Sequence, residues 1–264
     1  MLPTDPAALA AGPYRTPGPL AARAAIYAWQ RPPVDLVGAA AATLADLPAG
    51  ALVVDAGSGP GRYLHRLRPD LHRLAVDVSP GMLHAIEDGR VLRVVASADT
   101  LPLREHAADA ALAMHMLYHL PDPQAGLAEL RRVVRPGGRL VASTNDETDG
   151  LWETFRDAGL PRAPVSARWP LAAAPAALRA AGFADVTVQA FDYILDIPAP
   201  EPVLAYLDSC RAGFPDLADD TWTGVRAAVA AAVTAEIRRH GALRRTGRVG
   251  LVTGRQAAGP VGTQ

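Results

Sequence analysis

The chain has 264 residues, 50% apolar and 20% charged, enough for a sizeable core in one α/β domain with modest additions or in two small domains; this composition excludes wholesale disorder. A formal net charge of -1 and a pI near 6.7 give no sign of the basic face that a nucleic-acid enzyme presents. The single cysteine, Cys210, excludes an internal disulfide framework and a cysteine-based zinc site.

No stretch approaches the ~18 uninterrupted apolar residues of a membrane span, and the N-terminal segment has no basic start ahead of an apolar run. A cytoplasmic chain without membrane contact is therefore expected. Every residue of the Lys/Arg class is Arg, and Ala is very frequent; neither bias carries a functional reading.

Residues 1–19 carry Pro3, Pro6, Pro13, Pro17 and Pro19, which predicts an extended segment. Helices are expected over about Leu20–Ala28 and Val34–Leu47, separated by Pro32 and Pro33. From residue 51 short apolar runs alternate with amphipathic segments. Strands are expected at Ala51–Ala56, Arg73–Asp77, Val91–Ala96, Ala110–His115 and Arg139–Thr144, with helices near Arg62–Leu67, Gly81–Glu87 and Pro123–Val134. That alternation implies a parallel sheet covered on both faces. After Thr144 the rhythm breaks. Helices are expected near Leu151–Ala158, Ala176–Ala181, Ala199–Cys210 and Thr223–Arg239, and strands at Asp185–Leu195 and Arg248–Thr253.

The sharpest local feature is Asp55-Ala-Gly57-Ser-Gly59-Pro-Gly61, placed after a buried strand and before a helix. Glycines there let the backbone turn tightly and approach a ligand closely. Arg62 stands where a dinucleotide fingerprint wants its third small residue. Asp55 is a poor neighbour for a pyrophosphate but a good one for a ligand carrying an ammonium and a sulfonium charge. Asp77 ends the next strand, 20 positions after Gly57, where an acid can accept hydrogen bonds from both ribose hydroxyls. Asp55 and Arg62 point away from an NAD enzyme.

Four motifs in order carry a family resemblance: Val53-Val-Asp-Ala-Gly-Ser-Gly-Pro-Gly61, Val76-Asp-Val-Ser-Pro-Gly-Met-Leu83, His115-Met-Leu-Tyr-His-Leu-Pro-Asp122 and Leu130-Arg-Arg-Val-Val-Arg-Pro-Gly-Gly-Arg-Leu140. Over roughly residues 50–145 the chain resembles the class I S-adenosylmethionine-dependent methyltransferases, in particular the small-molecule group with a type 11 core. The resemblance implies an α/β, Rossmann-like seven-stranded sheet of order 3-2-1-4-5-7-6, its last strand antiparallel, flanked by helices. It implies S-adenosyl-L-methionine as the methyl donor and S-adenosyl-L-homocysteine as a product. Gly57, Ser58, Gly59 and Gly61 would line the methionine and ribose, Asp55 would face the ammonium side, Asp77 would take the ribose hydroxyls, and Val78 and Met82 would pack near the adenine. Tyr14, Arg15 and His115 complete the expected cofactor set. The family usually has an acid at the position of Ser97; here either Ser97 with the Ala98 N–H holds the adenine edge, or Asp99 does.

Methyl transfer from a sulfonium is an in-line displacement, so the protein mainly positions the acceptor and removes a proton where the acceptor is a phenol, alcohol or acidic carbon. His115, at the end of the fourth core strand, is the first candidate for a base, and His119 the second; each also has a packing or loop-holding reading. Asn145, Asp146, Glu147 and Asp149 cluster after the fifth strand, but the matching acid after the fourth is missing, so a solvated turn and no metal are expected.

Residues 1–47 are read as an N-terminal lid, 48–256 as the methyltransferase domain with acceptor-side insertions around 145–180 and 197–247, and 257–264 as a tail. Tyr14, Tyr27, Trp29, Trp152, Phe155, Trp169 and Tyr193 would form an aromatic wall suited to a flat acceptor, with Asn145 beside them. Arg15 and Arg168 are candidates for an acceptor carboxylate. The expected partner is a small molecule methylated on O, N or C, with the chain a monomer or homodimer that binds no nucleic acid. Two alternatives stand beside this: a protein of the same fold that binds the cofactor without methyl transfer, as a cyclase or binding module, and a macromolecular methyltransferase. The latter would want a basic groove or a Pro-Pro-Tyr type motif, and neither shows.

Overall fold

The computed structural model describes residues 4–146, 150–161 and 165–257. The chain runs through α1 (Pro6–Ala11), α2 (Pro17–Ala25), β1 (Gln30–Arg31), α3 (Leu36–Ala42), β2 (Leu52–Ala56), β3 (His72–Asp77), α4 (Pro80–His84), β4 (Val91–Val95) and β5 (Ala108–Met114). It continues through α5 (Pro123–Val133), β6 (Val134–Asn145), α6 (Gly150–Asp157), α7 (Ala174–Ala180), β7 (Phe183–Ile197), α8 (Glu201–Ser209), α9 (Asp219–His240) and β8 (Leu243–Gln256).

The described strands form one sheet of eight, ordered β4-β3-β2-β5-β6-β8-β7-β1. Neighbours from β4 to β6 pair parallel, and β8 runs antiparallel to both β6 and β7. The expected order 3-2-1-4-5-7-6 and its antiparallel last strand are present. One strand was not expected: β1, which pairs antiparallel with β7 through Gln30–Leu195 and Arg31–Ile194. It is two residues long, and Pro32 and Pro33 directly after it read as helix breakers rather than as the end of an edge strand.

Period-2 alternation divides the sheet residues between its faces. Val54, Leu74, Val76, Ala111, Ala113, Leu140 and Ala142 join the core that contains Leu127 and Leu130 of α5 and Leu178 of α7. Val53, Ala75, Ala110, Leu112, Met114 and Val141 join the opposite core with Ala40, Leu64 and Leu83. The Ala-rich β5 is central, paired on both sides and covered on both faces, so small side chains fit there although they are poor strand formers elsewhere. A third core packs α6, α8 and α9 on the far ends of β7 and β8. In α9 the buried Trp222, Val225, Val229 and Val233 recur at helical spacing.

Two local expectations are overturned. The N-terminal segment is not extended: α1 begins at Pro6 with the Asp5 carboxylate accepting from the Ala8 N–H at 2.8 Å, and α2 begins at Pro17. Prolines in a first helical turn forfeit no intrahelical hydrogen bond. The segment after the glycine loop is not the helix expected over Arg62–Leu67. It holds turns and a short 3-10 stretch, Leu64–Arg66, which stops where Leu67 becomes extended two residues before Pro69.

The Phe155 ring is fully buried, stacked on Tyr206 at 6.0 Å and edge-on to Trp152 at 5.5 Å, and so joins α6 to α8. Phe155→Ala is expected to lower unfolding stability by about 3–5 kcal/mol. Urea denaturation should show this as a shifted midpoint with an unchanged slope.

Candidate active site

At the end of β2 the backbone reverses through Gly57, Gly59 and Gly61, with φ of +67°, +53° and +75°. The Gly57 and Ser58 N–H groups donate to the Val76 carbonyl at 2.8 and 3.0 Å, which holds the turn against β3. A Cβ on Gly57 would stand 2.8 Å from that of Met116, so position 57 is closed to side chains by conformation and by space.

Asp77 lies beside this turn. One carboxylate oxygen accepts from the Gly59 N–H and the other from the Ser79 N–H, both at 2.8 Å. Burial raises its pKa and the two N–H donors oppose that rise. Each oxygen keeps acceptor capacity for a ligand. Asp55 is fully buried beneath the loop, and neither of its oxygens meets a donor among the described residues. Burial first, and then the charge of Asp77, push its carboxyl well above the usual carboxylate range.

The glycine turn opens on a cavity of about 870 Å³, toward the upper end of the range of ordinary ligand pockets. Gly57, Ser58, Gly59, Asp77, Val78, Met82, Ser97 and Ala98 line one part. The Ser97 hydroxyl oxygen is buried and meets no partner among the described residues. Asp99 is not on the cavity wall; its carboxylate accepts from the Thr100 hydroxyl at 3.4 Å, so Ser97 and Ala98 stand where the sequence left two alternatives. Asp55 and Gly61 also lie behind the wall rather than on it.

His115 follows β5 and lines the cavity. Its φ is +53°, an uncommon conformation for a residue with a side chain, held by its N–H donating to the Ser143 carbonyl at 3.1 Å and hydroxyl at 3.0 Å. Burial and then the charge of Arg62 lower its pKa to about 4. His119 shares a 2.8 Å hydrogen bond with the Tyr14 hydroxyl through Nε2, and its Nδ1 is buried with no partner among the described residues. Burial, then Arg23, Arg168 and His115, lower its pKa to about 3.

Tyr14 arrives from the N-terminal segment between α1 and α2. Its carbonyl accepts from the Ser79 hydroxyl at 2.7 Å. Gly81 lets this segment lie close, since a Cβ there would collide with the Arg15 carbonyl oxygen.

Among the expected acceptor residues, Tyr27, Asn145, Trp152 and Tyr193 line the cavity. Tyr27 and Tyr193 meet edge to face at 6.3 Å. Five others, Trp29, Trp169, Phe155, Arg15 and Arg168, do not line it. Trp29 packs against the core of α6, α8 and α9; Trp169 and Phe155 are buried in cores; and the Arg15 side chain is exposed. Arg168 donates to the Tyr118 and Pro121 carbonyls, both at 3.0 Å, which ties down the loop after β5. The apolar character of Trp29, Trp169 and Phe155 fits core and pocket equally well in sequence; only packing separates the two. Arg23, Gln30, Tyr206 and Phe214 also line the cavity and were missed. They come from α2, β1 and the segment around α8, and no motif spacing links them.

Among the described residues no group of three His, Cys, Asp or Glu side chains stands close enough to hold a metal ion. Glu147 and Asp149 lie outside the described residues.

Sheet order, glycine turn and strand-end acid are together those of the class I S-adenosylmethionine-dependent methyltransferase fold. The comparisons agree: residues 54–142 match the family model described as "Methyltransferase domain". Over 99 residues the chain is 36% identical to malonyl-[acyl-carrier protein] O-methyltransferase of Hahella chejuensis, covering 35% of this chain and 36% of that protein. Over 101 residues it is 39% identical to tRNA (carboxymethyluridine(34)-5-O)-methyltransferase of Arabidopsis thaliana, covering 37% of this chain and 25% of that protein. The chain thus spans about a quarter to a third of the length of these two relatives. The solved structure of the cyclase SpnF has the same fold, with a TM-score of 0.55 at 22% identity over 84% of this chain and 81% of that one.

The depressed histidines have a consequence for stability. In the unfolded chain a histidine takes up its proton near pH 6.5, whereas folded His115 does so near 4. Its contribution is complete above about pH 6.5 and is lost as pH falls toward 4. Asp55, shifted upward, acts with the opposite sign. Urea denaturation of wild type and His115→Gln between pH 7 and 4.5 should therefore show a shallower loss in the variant, by at most about 1.4 kcal/mol per pH unit.

Proposed function

We propose that this chain transfers a methyl group from S-adenosyl-L-methionine to a small, flat acceptor. The observation that carries the reading is Asp77, held by the Gly59 and Ser79 N–H groups on the wall of a cavity whose other part is aromatic. When bound, S-adenosylmethionine supplies a methyl group activated by its sulfonium.

The chain's own residues do the rest. The Asp77 carboxylate would accept from the ribose hydroxyls, and Ser97 and Ala98 would meet the adenine edge with Val78 and Met82 against its faces. Residues 1–47 would act as a lid, since Tyr14 bridges Ser79 and His119. Tyr27, Trp152 and Tyr193 would orient the acceptor, with Asn145 at its polar edge. His115 is the residue proposed to take the acceptor's proton. Its imidazole is neutral at physiological pH, so a lone pair is available there.

A second reading has a specific support, the similarity in fold to the cyclase SpnF: cofactor binding without methyl transfer. Bound S-adenosylhomocysteine with no methylated product over a broad acceptor panel would favour it.

Calorimetry with S-adenosylhomocysteine on wild type and Asp77→Ala tests the shared premise. Micromolar binding is expected in the wild type, weakened about 30-fold or more in the variant, as for the loss of two hydrogen bonds to a charged group. No binding to the wild type would sink the reading.

A further inference from the structure

We infer that Arg23 anchors an acidic oxygen of the acceptor, so that the acceptor part of the cavity takes a flat aromatic acid as its anion. This rests on the methyl-transfer reading of the site.

Arg23 lies on α2 and lines the cavity. Its guanidinium sits 5.1 Å from the centre of the Tyr14 ring. Stacking on an aromatic face leaves the in-plane N–H groups free to bond at the edge. One of them, on Nη1, donates to the Ser209 carbonyl at 3.1 Å. The other terminal nitrogen, Nη2, is buried and meets no acceptor among the described residues. A guanidinium is always charged, and a buried, charged donor left unmatched is an unfavourable arrangement that an anion would relieve.

The surrounding charge points the same way. Asp77 is the one acid among the described residues that line the cavity, and its two oxygens already take backbone N–H groups. The cavity histidines His115 and His119 are held neutral by burial. Arg23 and Arg62 are therefore opposed by a single carboxylate committed to the glycine turn. The cavity that Arg23 lines is rich in aromatic rings, among them Tyr14, Tyr27, Trp152, Tyr193, Tyr206 and Phe214. An aromatic surface alone would equally suit an organic cation, but the unmatched guanidinium excludes that choice by repulsion. Planar apolar surface with one cation at the end of it is the complement of an aromatic carboxylate or phenolate.

Naphthoate and its neutral counterpart naphthamide, titrated by calorimetry into the chain saturated with S-adenosylhomocysteine, test this. Naphthoate is expected to bind about tenfold tighter or more, as for a charge-assisted hydrogen bond against a neutral one. Arg23→Gln should bring the two within about twofold, and Arg23→Lys should restore part of the preference, while both variants keep S-adenosylhomocysteine affinity within about threefold. Equal affinities in the wild type, binding of neither compound, or a preference that survives Arg23→Gln would overturn the inference. So would loss of S-adenosylhomocysteine affinity in Arg23→Gln, which would assign the guanidinium to the cofactor's own carboxylate. If the wild type binds no S-adenosylhomocysteine, the methyl-transfer reading fails, and the same two titrations on the unliganded chain still decide whether Arg23 selects an anion.

Discussion

The Asp77 carboxylate, shared between the Gly59 and Ser79 N–H groups, is the constraint on which the site depends. It ties the glycine turn after β2 to the start of α4, two segments that approach only because β2 and β3 are paired neighbours. The same residue pair extends the tie outward. Ser79 caps α4 by accepting from the Met82 N–H at 3.2 Å, and its hydroxyl donates to the Tyr14 carbonyl. Tyr14 then reaches His119 in the loop after β5. One buried acid thus links three loops at the carboxyl ends of the strands, where open α/β sheets place their ligands.

Burial makes this arrangement selective. Asp55 and Ser97 carry polar atoms that are removed from solvent and meet no partner among the described residues, and burial, then the charge of Asp77, pushes Asp55 toward its protonated form. Unmatched buried polar groups cost stability in any fold, and they cluster where a ligand completes them. The neutral state of His115 and His119 has the same origin. Burial of the two side chains, with positive charge nearby, keeps both imidazoles uncharged despite their ordinary affinity for protons.

The large aromatic residues show how much packing decides. Trp152, Trp169, Phe155 and Trp29 look alike in sequence. Trp152 lines the cavity, whereas Trp169 and Phe155 fill separate cores and Trp29 packs against the second of them. Arg168 and Arg23 divide in a comparable way. The first spends both terminal nitrogens on the Tyr118 and Pro121 carbonyls, and the second keeps one unmatched on the cavity. Nothing in the residues flanking either arginine distinguishes them.

What the sequence by itself determined was local and periodic. Asp55 to Gly61 demanded a tight turn after a buried strand, because only glycine takes positive φ without strain. Alternation of short apolar runs with amphipathic segments required a covered parallel sheet, and Asp77 stood at the strand end where a diol can be bound. The tertiary structure alone decided the rest. It placed Tyr14 against His119, 105 positions later in the chain, and brought Arg23 to Ser209 across 186 positions. It also turned Asp99 away from the cavity and added β1 to the sheet edge. These are contacts between segments with no common periodicity. Their partners are selected by which helix faces pack together, and that is settled by the burial of whole faces rather than by any residue's neighbours in sequence.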